Sequence, residues 1–138
     1  QGPFTTSLEA NEIITEVRVP DPGTRAGGTY LKLERKVGDF ATVGSAVIVK
    51  LTDDGRIESA GVGLTAVAET PFAATDAEEI LGGEQPSEEL FRRAGDAAGV
   101  QARPAGDVRG PIEYKRAMAA EMTVRSLRSA VARALSFS

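Results

Sequence analysis

The sequence contains no cysteine, no histidine and no tryptophan among its 138 residues. Without thiolates and imidazoles, the chain lacks the usual protein ligands for structural zinc and for iron–sulfur clusters. It also lacks a thiol nucleophile and an imidazole base, so cysteine-dependent and Ser–His types of catalysis are excluded. We therefore expect neither a catalytic residue nor a metal site in this chain.

Aromatic residues are scarce, and the 20 acidic residues outnumber the 16 basic ones. Because aromatics make up only 5% of the sequence, the core must be built from valine, isoleucine, leucine and alanine. The formal net charge of −4 argues against a nucleic-acid partner, which needs a dense cationic face. No apolar run approaches the ~20 residues that span a bilayer, so we expect no membrane span. With 41% hydrophobic and 26% charged residues, the composition is typical of a globular protein.

The N-terminal part of the chain has a character of its own. Residues 1–4 contain no initiator methionine and no signal-peptide pattern, which we interpret as the interior of a longer gene product. The β-branched stretch 12–19 predicts a strand, and it stops at Pro20-Asp21-Pro22-Gly23, which suits neither a helix nor an inner strand. We predict that residues 1–22 are the end of an upstream domain with a linker, and that residues 23–138 form one domain.

Three β-type segments follow this linker. After a break at Gly27-Gly28, residues 29–36 alternate between apolar and polar side chains, as a half-buried strand does. Residues 40–51 and 56–68 are also β-rich, and the Asp-Gly pair at Asp54-Gly55 predicts a hairpin between them. The sequence therefore predicts a three-stranded antiparallel sheet.

One face of the predicted hairpin carries very small side chains. These are Gly44, Ala46, Gly61 and Gly63. A face this bare allows a helix, another backbone or a flat ligand to come close.

The second half of the chain has helical periodicity. Thr75 or Asp76 can cap a short helix that ends at Leu81, and Ser87 can cap a second that runs to about residue 98. A third helix is predicted over residues 112–135, with an apolar stripe. The stripe contains Ala117, Ala120, Val124, Leu127, Val131 and Leu135. The predicted fold class is α+β, with a three-stranded antiparallel sheet packed against a three-helix cluster.

Charge is segregated along these helices. Residues 76–96 contain seven acidic groups and two arginines, whereas residues 109–138 contain six basic groups and two acidic ones. One explanation is that packed helices of opposite sign complement each other. The alternative is a docking face for a partner subunit.

Residues 30–43 carry a resemblance to a known family. Their pattern Y-x-K-x-x-R-x-x-G-D-F-A, followed by a valine-rich strand, resembles the opening of the C-terminal domain in flavoprotein subunits of carbon monoxide dehydrogenases and related xanthine-dehydrogenase-type hydroxylases. Three further stretches resemble the family and occur in its order. They are Phe4-Thr5-Thr6-Ser7-Leu8 with residues 12–20, Gly61-Val62-Gly63 with Thr70-Pro71, and Asp107-Val108-Arg109-Gly110 with residues 113–116 and Arg125-Ser126-Leu127.

The resemblance implies a role in electron transfer within a cytoplasmic molybdenum hydroxylase. In such enzymes a molybdenum large subunit oxidises the substrate, a small subunit carries two [2Fe–2S] clusters, and FAD on the medium subunit passes electrons to an acceptor. The expected partners are those two subunits and the upstream FAD-binding domain, which holds the pyrophosphate loops. Because no G-x-G-x-x-G pattern is present here, we expect that the isolated chain is not a complete enzyme and does not retain FAD.

The resemblance also implies that Lys32, Asp39 and Phe40 border the flavin. A reduced isoalloxazine needs a nearby positive charge at N1/C2=O and an apolar group beside the ring. Lys32 would supply the charge, Phe40 would lie against the ring or gate it, and Asp39 would position Lys32 or Arg35. The alternative is purely structural, with a solvated lysine, a turn-forming aspartate and a core phenylalanine.

The sequence leaves two other functions open. One is a subunit-interaction module with no cofactor contact, and the other is an unrelated small-molecule-binding α+β domain. The loop before the third helix bears on the first of these. Asp107 with Arg109 predicts a helix N-cap and a charge-paired loop, and Tyr114 with Arg116 a buried hydrogen-bonded set. The functional alternative is that Arg109 and Arg116 contact the iron–sulfur subunit.

Overall fold

An antiparallel sheet is covered on one face by three helices in the computed structural model, which describes residues 5–136. The sheet order is β1-β2-β3-β4, and each neighbouring pair is antiparallel. The elements are β1 (Ala26–Leu33), β2 (Val43–Leu51), β3 (Ile57–Thr65), β4 (Phe72–Ala73), α1 (Thr75–Leu81), α2 (Glu88–Gln101) and α3 (Ile112–Ser136). The predicted α+β class is confirmed, with four strands instead of three. The added β4 has two residues, too few to give an alternating pattern in the sequence.

The hairpin between β2 and β3 forms where the Asp-Gly pair predicts it. Gly55 has a φ of +82°, a conformation that glycine adopts without the penalty a Cβ brings. The turn is closed by the Thr52 N–H, which donates to the Arg56 carbonyl over 2.9 Å. A register shift between Lys50 and Leu51 adds a bulge close to this turn.

Strand β1 begins and ends three residues earlier than the predicted 29–36. The Gly27-Gly28 pair, predicted as a break, lies inside the strand. The reason is tertiary: a Cβ built on Gly27 would lie 2.1 Å from the Ala130 carbonyl oxygen of α3. Gly27 therefore allows a close approach of helix to strand. The predicted start of β2 at residue 40 is also too early, because Phe40 lies in the loop before Val43.

The core lies between the sheet and the helices. Alternate residues of the two central strands are buried on this inner face; they are Val43, Val47, Val49, Leu51, Val62 and Leu64. Helix α3 packs across β1 and β2, α2 packs on α3, and α1 packs against α2 and β3. The outer face of the sheet remains exposed at Tyr30, Ala46 and Ile48.

Helices α1 and α2 form about where they are predicted, and one of their two predicted N-caps is confirmed. The Ser87 Oγ accepts a hydrogen bond from the Leu90 N–H at 3.1 Å, which confirms Ser87 as the cap of α2. The predicted cap at Thr75 or Asp76 is wrong, because α1 begins at Thr75 and follows Ala74 without a side-chain cap. Its start is instead set by the β4 strand that leads directly into it.

The apolar stripe predicted for α3 is correct in the middle and wrong at both ends. Val124, Leu127 and Val131 are buried, whereas Ala117 and Leu135 are exposed. The buried face is completed by small residues, including Ala119, Ala130 and Ala134. They lie where the sheet comes closest, a position that periodicity in the helix alone does not reveal.

The strand predicted at residues 12–19 is not formed. Ile13, Val17 and Val19 are each at least 80% exposed, and no strand is assigned to this stretch. A strand needs a neighbouring ladder to satisfy its N–H and C=O groups, and none of the described chain provides one. Phe4, the first residue of the resembling N-terminal stretch, lies outside the described residues. The boundary between residues 22 and 23 stays a prediction.

The opposite charges of α2 and α3 meet in one bidentate ion pair. The Arg128 Nε donates to Glu88 Oε1 at 2.7 Å, and Nη2 of the same guanidinium lies 2.5 Å from Oε2. This contact supports the explanation by complementary packed helices. No helix formed by residues 5–136 is both long and apolar enough to cross a membrane.

Candidate functional site

The outer face of the sheet carries a shallow apolar groove of about 600 Å³. Its floor is made of small residues brought together by strand register, in which Ala46 pairs with Gly63 and Ile48 with Gly61. A Cβ on Gly63 would meet nothing closer than 3.9 Å, so the floor is open there. The bare hairpin face predicted from the sequence is therefore present.

Gly44 is the exception among the four small residues. It is buried, because Tyr30 and Thr65 lie over it: a Cβ on Gly44 would be 2.7 Å from the Tyr30 hydroxyl oxygen. Tyr30 and Phe72 also line the groove. The groove is thus bordered by two aromatic side chains on either side of a floor that has almost no side chains.

Lys32 lies on the outer face, opposite Gly44 in the register of β1 and β2. Its Nζ forms an ion pair with Glu34 Oε2 at 2.6 Å and donates to the Asp39 backbone carbonyl at 2.7 Å. Lys32 is therefore held at the end of the sheet, against the loop that carries Asp39 and Phe40. Its side chain is one-third exposed.

Asp39 is the best-connected residue of this loop. Its Oδ1 accepts from the Phe40 N–H at 2.8 Å and lies 3.5 Å from Nη2 of Arg109, while Oδ2 lies 3.4 Å from Nε of Arg35. The hydrogen bond from Phe40 and the two guanidinium groups hold the pKa of this carboxyl below its usual value. Of the two partners predicted for the carboxylate, it contacts Arg35. It reaches Lys32 only through the backbone carbonyl.

Phe40 is 81% exposed, so the alternative that it is a core aromatic is wrong. The guanidinium carbon of Arg109 lies 5.7 Å from the centroid of its ring, a distance at which a cation is attracted to the ring face. The structure thus brings the three residues of the predicted site together at one end of the sheet.

Two residues of this cluster were not assigned to it from the sequence. Glu34 pairs with Lys32, and Arg109 contacts both Asp39 and Phe40. The alternation of β1 places Lys32 and Glu34 on one side, so that signal was available in the sequence. Nothing local indicates Arg109, which is 69 residues after Phe40 in the numbering.

The segment 107–110 is a tight turn and not a helix cap. Asp107 and Gly110 exchange two backbone hydrogen bonds, of 3.2 and 3.0 Å, and the Asp107 carboxylate accepts from the Arg109 N–H at 2.8 Å. The predicted N-cap is wrong, because α3 begins only at Ile112. The predicted charge-paired loop is present. Asp107 lies 2.9 Å from Nζ of the buried Lys115, and hydrogen bonds from Lys115 and the Arg109 N–H lower its pKa.

The predicted buried set of Tyr114 and Arg116 does not form. Tyr114 is 42% exposed, and Arg116 donates from Nε to the Ala102 carbonyl at 3.2 Å. Residues two apart on a helix point in different directions, which is the physical reason.

Comparison with known proteins gives this arrangement a context. The family described as CO dehydrogenase flavoprotein C-terminal domain matches residues 28–130, about three quarters of the chain. The chain belongs to this family. The match spans Lys32, Asp39, Phe40 and Arg109, so the whole cluster lies within the domain that defines the family.

Individual relatives of this CO dehydrogenase flavoprotein C-terminal domain agree with the family match. The carbon monoxide dehydrogenase medium chain of Afipia carboxidovorans is 40% identical over 97% of this chain and 46% of the relative. The nicotine 6-hydroxylase medium subunit of Paenarthrobacter nicotinovorans is 31% identical over 96% of this chain and 46% of its own. The chain therefore spans about half the length of the curated relatives it matches.

Solved structures show the same fold. A carbon monoxide dehydrogenase from Hydrogenophaga pseudoflava, which lacks the Mo-pyranopterin moiety of its cofactor, superposes with a TM-score of 0.91 at 41% identity, over 96% of this chain and 46% of that one. The quinoline 2-oxidoreductase of Pseudomonas putida 86 gives a TM-score of 0.88 at 27% identity, with 98% and 46% coverage. The family predicted from residues 30–43 together with three further stretches is confirmed.

Proposed function

We propose that this domain belongs to the FAD-carrying medium subunit of a cytoplasmic molybdenum hydroxylase. There, its outer sheet face and the 34–41 loop would form one wall of the isoalloxazine site. When bound, FAD supplies the electron-accepting ring system. The observation that carries the proposal is that the outer sheet face holds an open groove lined by Tyr30, while Lys32, two residues further along the same strand, contacts the loop of the exposed Phe40.

The groove has the properties that a flat ring requires. Gly61, Gly63 and Ala46 leave the backbone of two strands uncovered, so a planar group can lie close to it. Tyr30 and Phe72 border this floor with apolar surface. The upstream domain would hold the adenine and pyrophosphate parts, which need loops that this chain does not contain.

Lys32, Asp39 and Phe40 would have distinct roles at this wall. The Lys32 ammonium would favour negative charge on the N1/C2=O side of the ring system, and Glu34 would moderate that effect. Phe40 would exclude water from the ring edge. Asp39 would hold the loop, through the hydrogen bond to the Phe40 N–H and its contacts with two arginines.

The same end of the molecule also supports a docking role. Val37, Phe40 and Val108 are each more than 80% exposed, although they are large and apolar. Exposed apolar side chains that cluster on one region are typical of an interface. We propose contact here with the upstream domain, and contact of the domain as a whole with the iron–sulfur small subunit and the molybdenum large subunit. The second candidate function is an interaction module in which these residues only dock subunits.

The test uses the full-length medium subunit with two substitutions, Lys32→Gln and Phe40→Leu. If the wall proposal holds, each lowers FAD affinity, by roughly tenfold for one lost charge-assisted contact, and shifts the visible absorbance of the bound flavin. Lys50→Gln is the matched control, because Lys50 also pairs with a glutamate, Glu58, at 3.1 Å. Lys50 lies six residues further along the sheet, ~20 Å away. It should leave both properties unchanged.

A third variant tests the groove itself. Gly63→Ala adds a Cβ to the floor without a clash, since the nearest atom to this Cβ would be 3.9 Å away. The domain should unfold at an unchanged or higher temperature, while FAD affinity falls. If all three variants match the Lys50→Gln control in FAD affinity and absorbance, the wall proposal is wrong and the interaction module stands.

A further inference from the structure

We propose that Arg109 is a positioning residue for the flavin-facing loop, an inference that rests on the proposed function. Its guanidinium contacts two residues of that loop: it lies 3.5 Å from Asp39 Oδ1 and 5.7 Å from the centroid of the Phe40 ring. No other described residue is seen to contact both the carboxylate and the ring from outside the loop. Arg109 would therefore fix how Phe40 and the Asp39 carbonyl are presented.

The 34–41 loop needs such a support because its own hydrogen bonds involve the backbone and the Asp39 carboxylate, and none of them holds the Phe40 ring. The Thr42 N–H donates to the Leu33 carbonyl at 2.7 Å and closes the base of the loop. At the tip, Gly38 has a φ of +84° and the Asp39 N–H donates to the Lys36 carbonyl at 3.1 Å. These bonds define the turn but do not orient the exposed ring that follows it.

Arg109 can give this support because the turn that carries it is held by a buried residue of α3. The Asp107 carboxylate accepts from the Arg109 N–H and pairs with Lys115, whose side chain is 5% exposed. The Lys115 Nζ also donates to the Ala105 carbonyl at 2.8 Å. A continuous set of contacts thus runs from α3 through Asp107 and Arg109 to Asp39, and from the Asp39 carbonyl to Lys32.

The chemistry of arginine matters at this position. A planar guanidinium can face a carboxylate and an aromatic ring at once, whereas an ammonium is a compact point charge. Arg109→Lys should therefore keep the attraction to Asp39 and weaken the contact with Phe40. Arg109→Gln should lose the contacts with both Asp39 and Phe40. The two substitutions therefore remove the contacts of Arg109 in two steps.

The experiment again uses the full-length subunit loaded with FAD. Arg109→Gln should lower FAD affinity about tenfold and change the visible circular dichroism of the bound flavin, and Arg109→Lys should recover part of both. In a Phe40→Leu background, Arg109→Gln should have a smaller effect than in the parent subunit, because the contact of the guanidinium with the ring is already lost. Arg93→Gln, the same change at an exposed position of α2, is the control and should alter neither property.

The possible results separate this inference from the proposed function. If Lys32→Gln and Phe40→Leu change the flavin signals while Arg109→Gln behaves like Arg93→Gln, Arg109 is not a positioning residue and the wall proposal stands. The same conclusion follows if the effects of Arg109→Gln and Phe40→Leu simply add. It also follows if Arg109→Gln lowers the melting temperature but leaves the dichroism of bound flavin unchanged. If none of the variants moves the flavin signals, both proposals are wrong.

Discussion

Lys32, on the outer face of the sheet, forms an ion pair with a carboxylate, since Glu34 Oε2 lies 2.6 Å from its Nζ. A cation in such a pair acts on a third group less strongly than a free one, because the field of the carboxylate opposes it. Both side chains are partly exposed, so the pair is worth at most about 1 kcal/mol. Glu34 therefore adjusts the charge of Lys32 without cancelling it.

Replacing Glu34 tests this adjustment. In the full-length subunit, Glu34→Gln should raise the flavin midpoint potential, because the unopposed ammonium favours the more negative, reduced ring. The rise should be at most roughly 20 mV, since 30 mV corresponds to about 1.4 kcal/mol for a two-electron couple. Lys32→Gln should move the potential in the opposite direction. Potentiometric titration measures both, and a fall with Glu34→Gln would contradict the assigned role.

Asp39 predicts a pH dependence of folding. Its pKa in the folded chain lies below the usual 3.8, so its contacts stabilise the fold fully above that value and are lost as the pH falls through the lower folded pKa. Asp39→Asn should therefore unfold at a lower temperature than the parent chain at pH 7, and the difference should shrink below about pH 4. Thermal denaturation from pH 7 to pH 2 measures this. A difference that does not depend on pH would show that the ionised carboxylate is not responsible.

Among the elements, α3 packs directly against the backbone of β1 at Gly27. Gly27 gives the helix direct access to the strand backbone, and Gly28 next to it points to the outer face. The two neighbours thus differ in what a side chain would meet. A Cβ on Gly27 would overlap Ala130 O and Ala134 N, whereas one on Gly28 would lie 3.5 Å from the Val47 carbonyl.

The two neighbouring glycines allow the same substitution to be compared at a crowded and at an open position. Gly27→Ala should lower the free energy of unfolding by about 1–3 kcal/mol or more, because helix and strand must move apart. Gly28→Ala should be neutral or stabilising by up to roughly 1 kcal/mol, since alanine is preferred over glycine inside a strand. Denaturation in urea measures both variants. Equal effects would mean that α3 does not pack on β1 as closely as the structure has it.

The molecule as a whole has one core and one open sheet face. The helices bury the inner face, and the groove, Lys32 and the 34–41 loop are left facing outward. The chain also spans about half the length of its medium-subunit relatives. A domain with one open sheet face can offer one wall of the proposed flavin site, and we expect the other wall to come from a different part of the subunit.

The purified chain should therefore carry no stoichiometric flavin. Without the pyrophosphate-binding loops it lacks several charge-assisted hydrogen bonds, each worth about 1.5–3 kcal/mol. Retention is measured after gel filtration with excess FAD, from the absorbance of the flavin band at about 450 nm. A one-to-one flavin spectrum would contradict the expectation and show that the groove alone is sufficient.

Local sequence patterns were enough to predict several elements of this fold. The Asp-Gly turn, the Ser87 cap and the long α3 follow from backbone preference and from 3.6-residue periodicity, both of which act within a few residues. The family, too, could be predicted, from the pattern of residues 30–43 together with three further stretches that occur in the family's order. The bare face of the hairpin was predictable because strand alternation fixes which residues share a side.

Other features depend on partners that are distant along the chain, and these became visible only in the packed domain. The Gly27-Gly28 pair lies inside a strand because α3 packs against Gly27, and residues 12–19 form no strand because no neighbouring strand in the described chain completes their hydrogen bonds. Arg109 contacts Asp39 and Phe40, although strands β2 to β4 and helices α1 and α2 lie between them in the sequence. Contacts between residues so far apart leave no local trace in composition or spacing, because they arise only when the packed core brings the two loops together.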